Sequence, residues 1–290
     1  MPTQGVDQEE SVRRIERDGY AVFKNVVSRD RLTVLDHEIR TEYANARSNG
    51  VLFEGGGNIS GHLNCFPGEG ARFVLDDLRS SGLLDIVAAL TPTGVDRLRV
   101  NCNVNLPGSA AQHYHMDGYY TRDFYICTVA VIDTDLVNGA LDVLPGTNRR
   151  FYKFWQYAVQ RKYRLTTRVV MQQGDVVIRK STMWHRGMPN HSSTMRPQLT
   201  LTFGESSAPS GDPFKVNEGK IYFEPNWYKT DKIGQIRERI FVKAPLAYST
   251  YRFVRSMVGN KGYAPEKRFG DFSGSTSRRF LPSRWQGVRR

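Results

Sequence analysis

The chain has 290 residues, 39% hydrophobic and 11% aromatic, which is enough apolar material for a large packed domain and argues against wholesale disorder. Its apolar runs stay far below the roughly 20 residues that span a bilayer, and the polar N-terminus shows no apolar signal core, so a cytoplasmic location is expected. A net charge of +12 leaves a preference for anionic partners open, while three scattered cysteines, Cys65, Cys102 and Cys127, make neither a disulfide framework nor a CxxC zinc site.

In chain order, Asp7–Arg17 has the pattern of a short helix, and the Asp18-Gly19 turn leads into a strand, Tyr20–Val27. Ser28 is placed to cap a helix whose Leu32, Leu35, Ile39 and Tyr43 recur at spacings of three and four. The stretch Glu54–Gly61 is a glycine-rich loop without the GxxxxGK[ST] pattern of a phosphate cradle. A helical segment over Arg72–Leu90 is broken near Gly82. From Arg97 the texture changes: Leu98, Val100, Cys102, Val104 and Leu106 alternate with polar residues, the period of a strand. Strands follow at Phe124–Asp133, Leu141–Leu144, Val169–Gln172, Val176–Arg179 and Gln198–Phe203, separated by turn residues such as Asn138-Gly139.

Many short strands after an N-terminal helical region give a mainly β fold with flanking α: a double-stranded β-helix, or cupin-like jelly roll, with the helices packed outside. One domain over 1–260 is expected, its motif-bearing core at about 97–204, with a basic tail at 261–290. Within Ala264–Arg290 seven basic residues face two acidic ones, a net +5. Ala244–Gly259 has helical spacing, with Leu246, Tyr251, Val254 and Val258 expected inward and Arg252 and Arg255 outward; a membrane-surface helix shares this pattern.

The chemistry concentrates in AQHYHMDGYY and STMWHRGMPN. His115 and Asp117 stand two apart, so on a strand they share a face, and His185 can supply a third ligand from a later strand. Two histidines and a carboxylate form the facial set that suits Fe(II) and leaves positions open for a chelating co-substrate and O2. Arg196 stands before the alternating strand Pro197–Phe203, and its guanidinium is the natural fork for a carboxylate. A His-x-Asp alone also occurs in surface loops.

Five stretches in order, DGYAVFKNVVS, AQHYHMDG, NGALDVLPGTNRR, GDVVIRKSTMWHRGMPNHSS and RPQLTLTF, resemble the phytanoyl-CoA dioxygenase family of 2-oxoglutarate oxygenases over about Asp18–Phe203. The resemblance implies that His115, Asp117 and His185 bind iron and that Arg196 binds the distal carboxylate of 2-oxoglutarate. Two departures are visible. Asn148 stands where the family usually has histidine, and Gly187 where a hydroxyl residue often assists the arginine, a part that Thr128, Ser192 or Thr200 can take. Related halogenases replace the aspartate with a small residue, so Asp117 implies hydroxylation-type chemistry.

Gln112 is a candidate for the 2-oxoglutarate carboxylate or for substrate, with a solvated edge position as the alternative. Tyr119, Tyr120 and Trp184 flank the ligands as candidate substrate contacts, or as core. Asn103, with Asn101 and Asn105, forms a polar strip that either reads substrate hydroxyls or faces solvent. His113 shares the face of His115, while His37, His62 and His191 lack partner spacing and read as structural or exposed. The expected activity is Fe(II)- and 2-oxoglutarate-dependent oxidation of a small-molecule, anionic metabolite by O2, releasing succinate and CO2. Desaturation, cyclisation, epimerisation and a non-catalytic ligand-binding member of the fold are the alternatives. Nucleic acid is not expected as a partner, and membrane-surface contact through the basic C-terminal region is a secondary expectation.

Overall fold

A computed structural model of the chain describes residues 7–258 apart from 92–94, 118–119, 121–122, 206–207 and 209–210. The basic tail at 261–290 and Tyr119 therefore lie outside the described residues. The elements run α1 (Gln8–Asp18), β1 (Tyr20–Phe23), α2 (Arg29–Ser48), β2 (His62–Phe66), α3 (Phe73–Ser80), α4 (Leu83–Leu90), β3 (Leu98–Asn105), β4 (Tyr125–Ala130) and β5 (Leu141–Val143). They continue as α5 (Phe154–Val159), β6 (Thr167–Val169), β7 (Val176–Lys180), β8 (His185–Arg186), β9 (Arg196–Phe203), β10 (Tyr222–Glu224), α6 (Lys232–Lys243) and α7 (Pro245–Val258).

Local chemistry sets these boundaries. Asp7 caps α1 by accepting from the Glu10 N–H, and Gly19, at φ 89°, ends it in the left-handed region. The expected strand to Val27 stops at Phe23, because Asn25 turns to φ 51° and the Val26 and Val27 N–H groups both donate to the Gly174 carbonyl. Ser28 precedes α2 without a side-chain cap; its N–H donates to Asp77 instead, fixing the helix start on α3. Gly82, at φ 78°, divides α3 from α4 as the sequence indicated.

Seven antiparallel strands in the order β1-β7-β4-β9-β3-β2-β10 form one sheet, and β6-β5-β8 form the other. This is the expected jelly-roll arrangement. Side chains in register sort the large sheet by face. Cys65, Cys102, Leu199, Val129 and Val176 lie in one row across five strands, all fully buried, in the same core as Leu32, Leu35 and Ile39 of α2. One residue along, Asn64, Asn103, Gln198 and Ala130 form the next row, and His62, Asn105 and Arg196 another, on the opposite face. The helices thus cover an apolar face, and a polar face is left for the interior of the roll. Asn103 belongs to that interior face.

Two sequence readings are corrected. The strand expected at Val169–Gln172 lies earlier, at Thr167–Val169, and Met171 makes only a single bridge to Thr134. The helix at 244–259 exists as α7, but with its polarity inverted: Leu246, Tyr251, Val254 and Val258 are exposed while Arg252 is buried. The inward position of Arg252 is satisfied by the Tyr114 carbonyl, which accepts from Nη2 at 2.9 Å, and by the Phe154 ring 4.1 Å from the guanidinium carbon.

Replacing Ile39, fully buried beneath the sheet, with alanine should cost about 2–5 kcal/mol through lost transfer energy and a residual cavity. A urea midpoint that falls with an unchanged slope would record it; an unshifted midpoint would show that α2 does not hold the core.

Candidate metal centre

His115 and His185 are joined by two reciprocal main-chain hydrogen bonds, each 2.9 Å, which set their rings 4.5 Å apart. β8 is itself anchored to β5, where His185 stands opposite Val143. After His115 the chain bends, and the Asp117 N–H donates to the Ser181 carbonyl. The i, i+2 relation read from the sequence therefore converges through a bend, not along a continuing strand. His115 Nε2 lies 3.5 Å from Asp117 Oδ1, and His185 Nε2 3.4 Å from Asp117 Oδ2. Donor atoms of all three residues fall within 4.8 Å of one another.

The protonation states suit a cation. Each ring places Nδ1 on the carbonyl two residues earlier, His115 on His113 at 2.8 Å and His185 on Met183 at 3.0 Å. A carbonyl only accepts, so Nδ1 carries the hydrogen and Nε2 keeps its lone pair for a metal. Burial, with Arg179 close by, pushes His185 down to about 3, which keeps it neutral. Burial alone would raise the Asp117 carboxyl, but the Arg179 guanidinium, aided by the two histidines, holds it well below the usual range. Arg179 Nη2 reaches Asp117 Oδ2 at 2.6 Å. The set offers one carboxylate and two imidazole lone pairs, the donors a facial Fe(II) site needs.

Arg196 lies at 1% exposure on the interior face of β9. Its Nε donates to the Asn138 carbonyl at 3.3 Å, and its buried Nη1 has no hydrogen-bond partner among the described residues. Burial lowers it to about 10 with no carboxylate to counter the effect. A buried guanidinium left in this state is a receptor for an anion. His62, on β2, is held near about 4 by burial, against the pull of the Ala110 carbonyl at 2.6 Å, with Arg196 and His115 both contributing. It lies within electrostatic reach of both halves of the site. No spacing in the sequence marked it, since its position depends on the pairing of β2 with β3.

The remaining candidates separate. Gln112 Oε1 accepts from the Gly187 N–H at 2.9 Å, and a side chain at 187 would meet that oxygen at 2.9 Å. The Gln112 amide thus occupies the space beside Gly187. Thr128 is buried on the interior face opposite Thr200. Ser192 is held within its own turn by Asn190. Asn148 ties the 147–149 turn to the Glu16 carbonyl of α1 at 2.8 Å. Of the two readings of Trp184 the core is the one seen: next to His185 along the extended chain, it points the other way and stacks on Tyr157 at 4.5 Å and 14°. Tyr120 packs edge-on against Phe151 at 5.7 Å, at the margin of that core.

Two residues escaped sequence reading. Arg179 gave no signal because its partner Asp117 is distant in sequence. Trp227, 43% exposed, sits with its ring 6.0 Å from that of His115 and 6.0 Å from that of His113. His113 is further packed against Phe241 at 5.9 Å and Tyr248 at 5.8 Å, so α6 and α7 form an aromatic wall beside the metal ligands.

A family model for phytanoyl-CoA dioxygenase matches residues 15–198. Among solved structures, the chain resembles the non-haem α-ketoglutarate-dependent carbocyclase SnoK from nogalamycin biosynthesis, with 17% identity, a TM-score of 0.52, and coverage of 69% of this chain and 87% of that one. It also resembles AviO1 from Streptomyces viridochromogenes Tue57, with 20% identity, a TM-score of 0.53, and coverage of 72% and 100%. At such identities the likeness establishes the fold alone.

His185→Ala should weaken Mn(II) or anaerobic Fe(II) binding by more than the roughly 10–100-fold that follows loss of a ligand's orienting partner. Far-UV circular dichroism should stay unchanged. Calorimetric metal affinity equal to that of the parent would remove His185 from the centre.

Proposed function

The chain belongs to the phytanoyl-CoA dioxygenase family, and from that premise we propose that it hydroxylates an unactivated C–H bond of a small anionic molecule. It is a non-haem Fe(II)- and 2-oxoglutarate-dependent oxygenase. In this reading His115, Asp117 and His185 hold the iron, and Arg196 pairs with the distal carboxylate of 2-oxoglutarate. Bound iron and 2-oxoglutarate supply the oxidising chemistry, in which O2 converts the co-substrate to succinate and CO2 while the second oxygen atom enters the C–H bond.

The single observation that carries the co-substrate assignment is Arg196, buried on the same interior face as the rest of the pocket and without a carboxylate partner among the described residues. Its fork donates two parallel charge-assisted bonds and so fixes the orientation as well as the affinity of a dicarboxylate. Gln112, with Oε1 already committed to the Gly187 N–H, keeps its Nε2 donor for the co-substrate or the substrate. Thr128 and Asn103 supply further polar groups on that wall. Thiols that are all unpaired and buried support a reducing, cytoplasmic setting.

Charge in the pocket supports an anionic substrate. When loaded, the two positive charges of Fe(II) offset the two negative charges of 2-oxoglutarate, and Asp117 offsets one of the two guanidiniums. One cationic equivalent from Arg179 and Arg196 then remains, and the neutral imidazoles of His113 and His185 do not cancel it. The chain as a whole adds a +12 background that concentrates anions.

Arg196→Ala should raise the 2-oxoglutarate requirement about a hundredfold, since a bidentate pair contributes roughly 3 kcal/mol and each 1.4 kcal/mol is tenfold. Lysine at 196 should restore only part of this, having one point charge in place of a fork. Steady-state titration of 2-oxoglutarate measures both, and an unmoved KM in the alanine variant would place the co-substrate elsewhere.

For an accepted substrate, kcat/KM should fall as ionic strength rises from about 0.01 to 0.15 M, because the Debye length shrinks from roughly 30 Å to 8 Å. A flat profile would refute the anionic reading.

A further inference from the structure

Beyond residue 198, where the family model ends, the chain builds the α6–α7 pair, and this pair carries an unusual surface. Among the described residues eighteen large hydrophobic side chains are exposed, and eight of them lie between Ile233 and Val258. A hairpin covering so little of the chain would not collect them by chance. On α6, Ile233, Ile236 and Ile240 are all exposed, and at ~100° per residue they fall within an arc of ~60°. Lys232 and Lys243 border that stripe on one side and Arg237 on the other, all exposed. The opposite face of α6, with Gly234, Glu238 and Phe241, is the buried one.

On α7 the exposed arc opposite Arg252 and Ser256 is built of Leu246, Val254, Met257 and Val258, with Leu246 at 84% and Val258 at 80% exposure. Only Thr250 brings a polar group into its centre. The two helices are packed together, the Phe241 ring lying 5.3 Å from that of Tyr248. The chain then continues into the 264–290 segment, whose sequence carries a net +5.

An apolar stripe bordered by Lys and Arg is the pattern of a helix lying in a membrane interface, with the apolar side chains at the acyl boundary and the cations among headgroups. Charge selects among the occupants of this face. A second copy would bring an equally cationic surface against it, and the chain's own basic tail would be repelled in the same way. Nucleic acid would engage the cations but leave the isoleucines, leucine and valines in water. We propose that the α6–α7 face docks on an anionic lipid surface. No helix among the described residues is long and apolar enough to cross a membrane, so the contact is peripheral. Trp227, 43% exposed with its ring 6.0 Å from that of His115, stands four residues before Asp231, the N-cap of α6.

The test is co-sedimentation of the full chain with vesicles, and it does not depend on catalysis. Vesicles of phosphatidylcholine with phosphatidylserine should retain the protein, phosphatidylcholine alone should retain little, and raising ionic strength from about 0.05 to 0.5 M should weaken retention. Ile236→Glu with Ile240→Glu, and separately Val254→Glu, alter exposed positions; each should reduce binding to the anionic vesicles at least about tenfold while circular dichroism and vesicle-free succinate production stay unchanged. No retention by anionic vesicles would overturn the proposal. So would retention that the glutamate substitutions leave intact, or a lipid-free dimer that those substitutions dissolve.

Discussion

Two hydrogen bonds between the main chains of His115 and His185 hold the site together, although the two stand seventy positions apart in the sequence. Because the pair is reciprocal, the two imidazoles must stand side by side, and each then finds the carbonyl two residues behind it for its Nδ1. Ring tautomer, ring orientation and the direction of both Nε2 lone pairs follow from main-chain geometry alone. No outer side chain is needed to aim either histidine. The minor sheet supports the arrangement from behind, through the pairing of β5 with β8.

Around that fixed pair the pocket is an exercise in buried charge. Asp117 is matched by Arg179 and the histidines, so its carboxylate is stable before any metal arrives. Asp142 is likewise matched, by Arg186 and the Tyr114 hydroxyl, and so does not compete as a ligand. Arg196 stands apart, being buried on a strand face where, among the described residues, its side chain meets the Asn138 carbonyl and no carboxylate. Burial of an unmatched cation destabilises the protein, and in the proposed function a bound dicarboxylate would relieve that cost. Placing the cation on the apolar outer face would be untenable, so the period-two division of the sheet is what makes the receptor possible.

Local periodicity and short-range spacing made most of the scaffold legible in the sequence. The alternation over Leu98–Leu106 became β3, Gly82 broke the helices where expected, and His115, Asp117 and His185 came together from two separate stretches. What stayed hidden depends on register between distant strands. His62 enters the pocket because β2 pairs Asn105 with it, and Arg179 because β7 runs past the bend at Asp117. Trp184, read as substrate contact or core, lies in the core for the complementary reason: adjacency to a candidate ligand along an extended chain means opposite faces. The space beside Gly187, where the family often has a hydroxyl residue, is held by the Gln112 amide, a contact that no local pattern announces.

The helix α7 shows a subtler limit. Its periodicity gave the axis of amphipathicity correctly and the sign wrongly, because an arginine and a serine fill the inward face where valine and leucine were expected. Periodicity reports only that two faces differ; which one is covered depends on what the neighbour offers. Here the neighbour offers a free carbonyl at Tyr114, the Trp155 N–H and the Phe154 ring, and these satisfy polar groups better than aliphatic ones. Tyr114 is the residue before the candidate ligand His115, so the buried guanidinium ties α7 directly to the segment that carries the candidate metal centre. Trp227 and the aromatic rings around His113 make a second such tie. The apolar side chains displaced to the outside of the hairpin are therefore one helix thickness from the ligands, and whatever covers them bears on the same segment that positions His115.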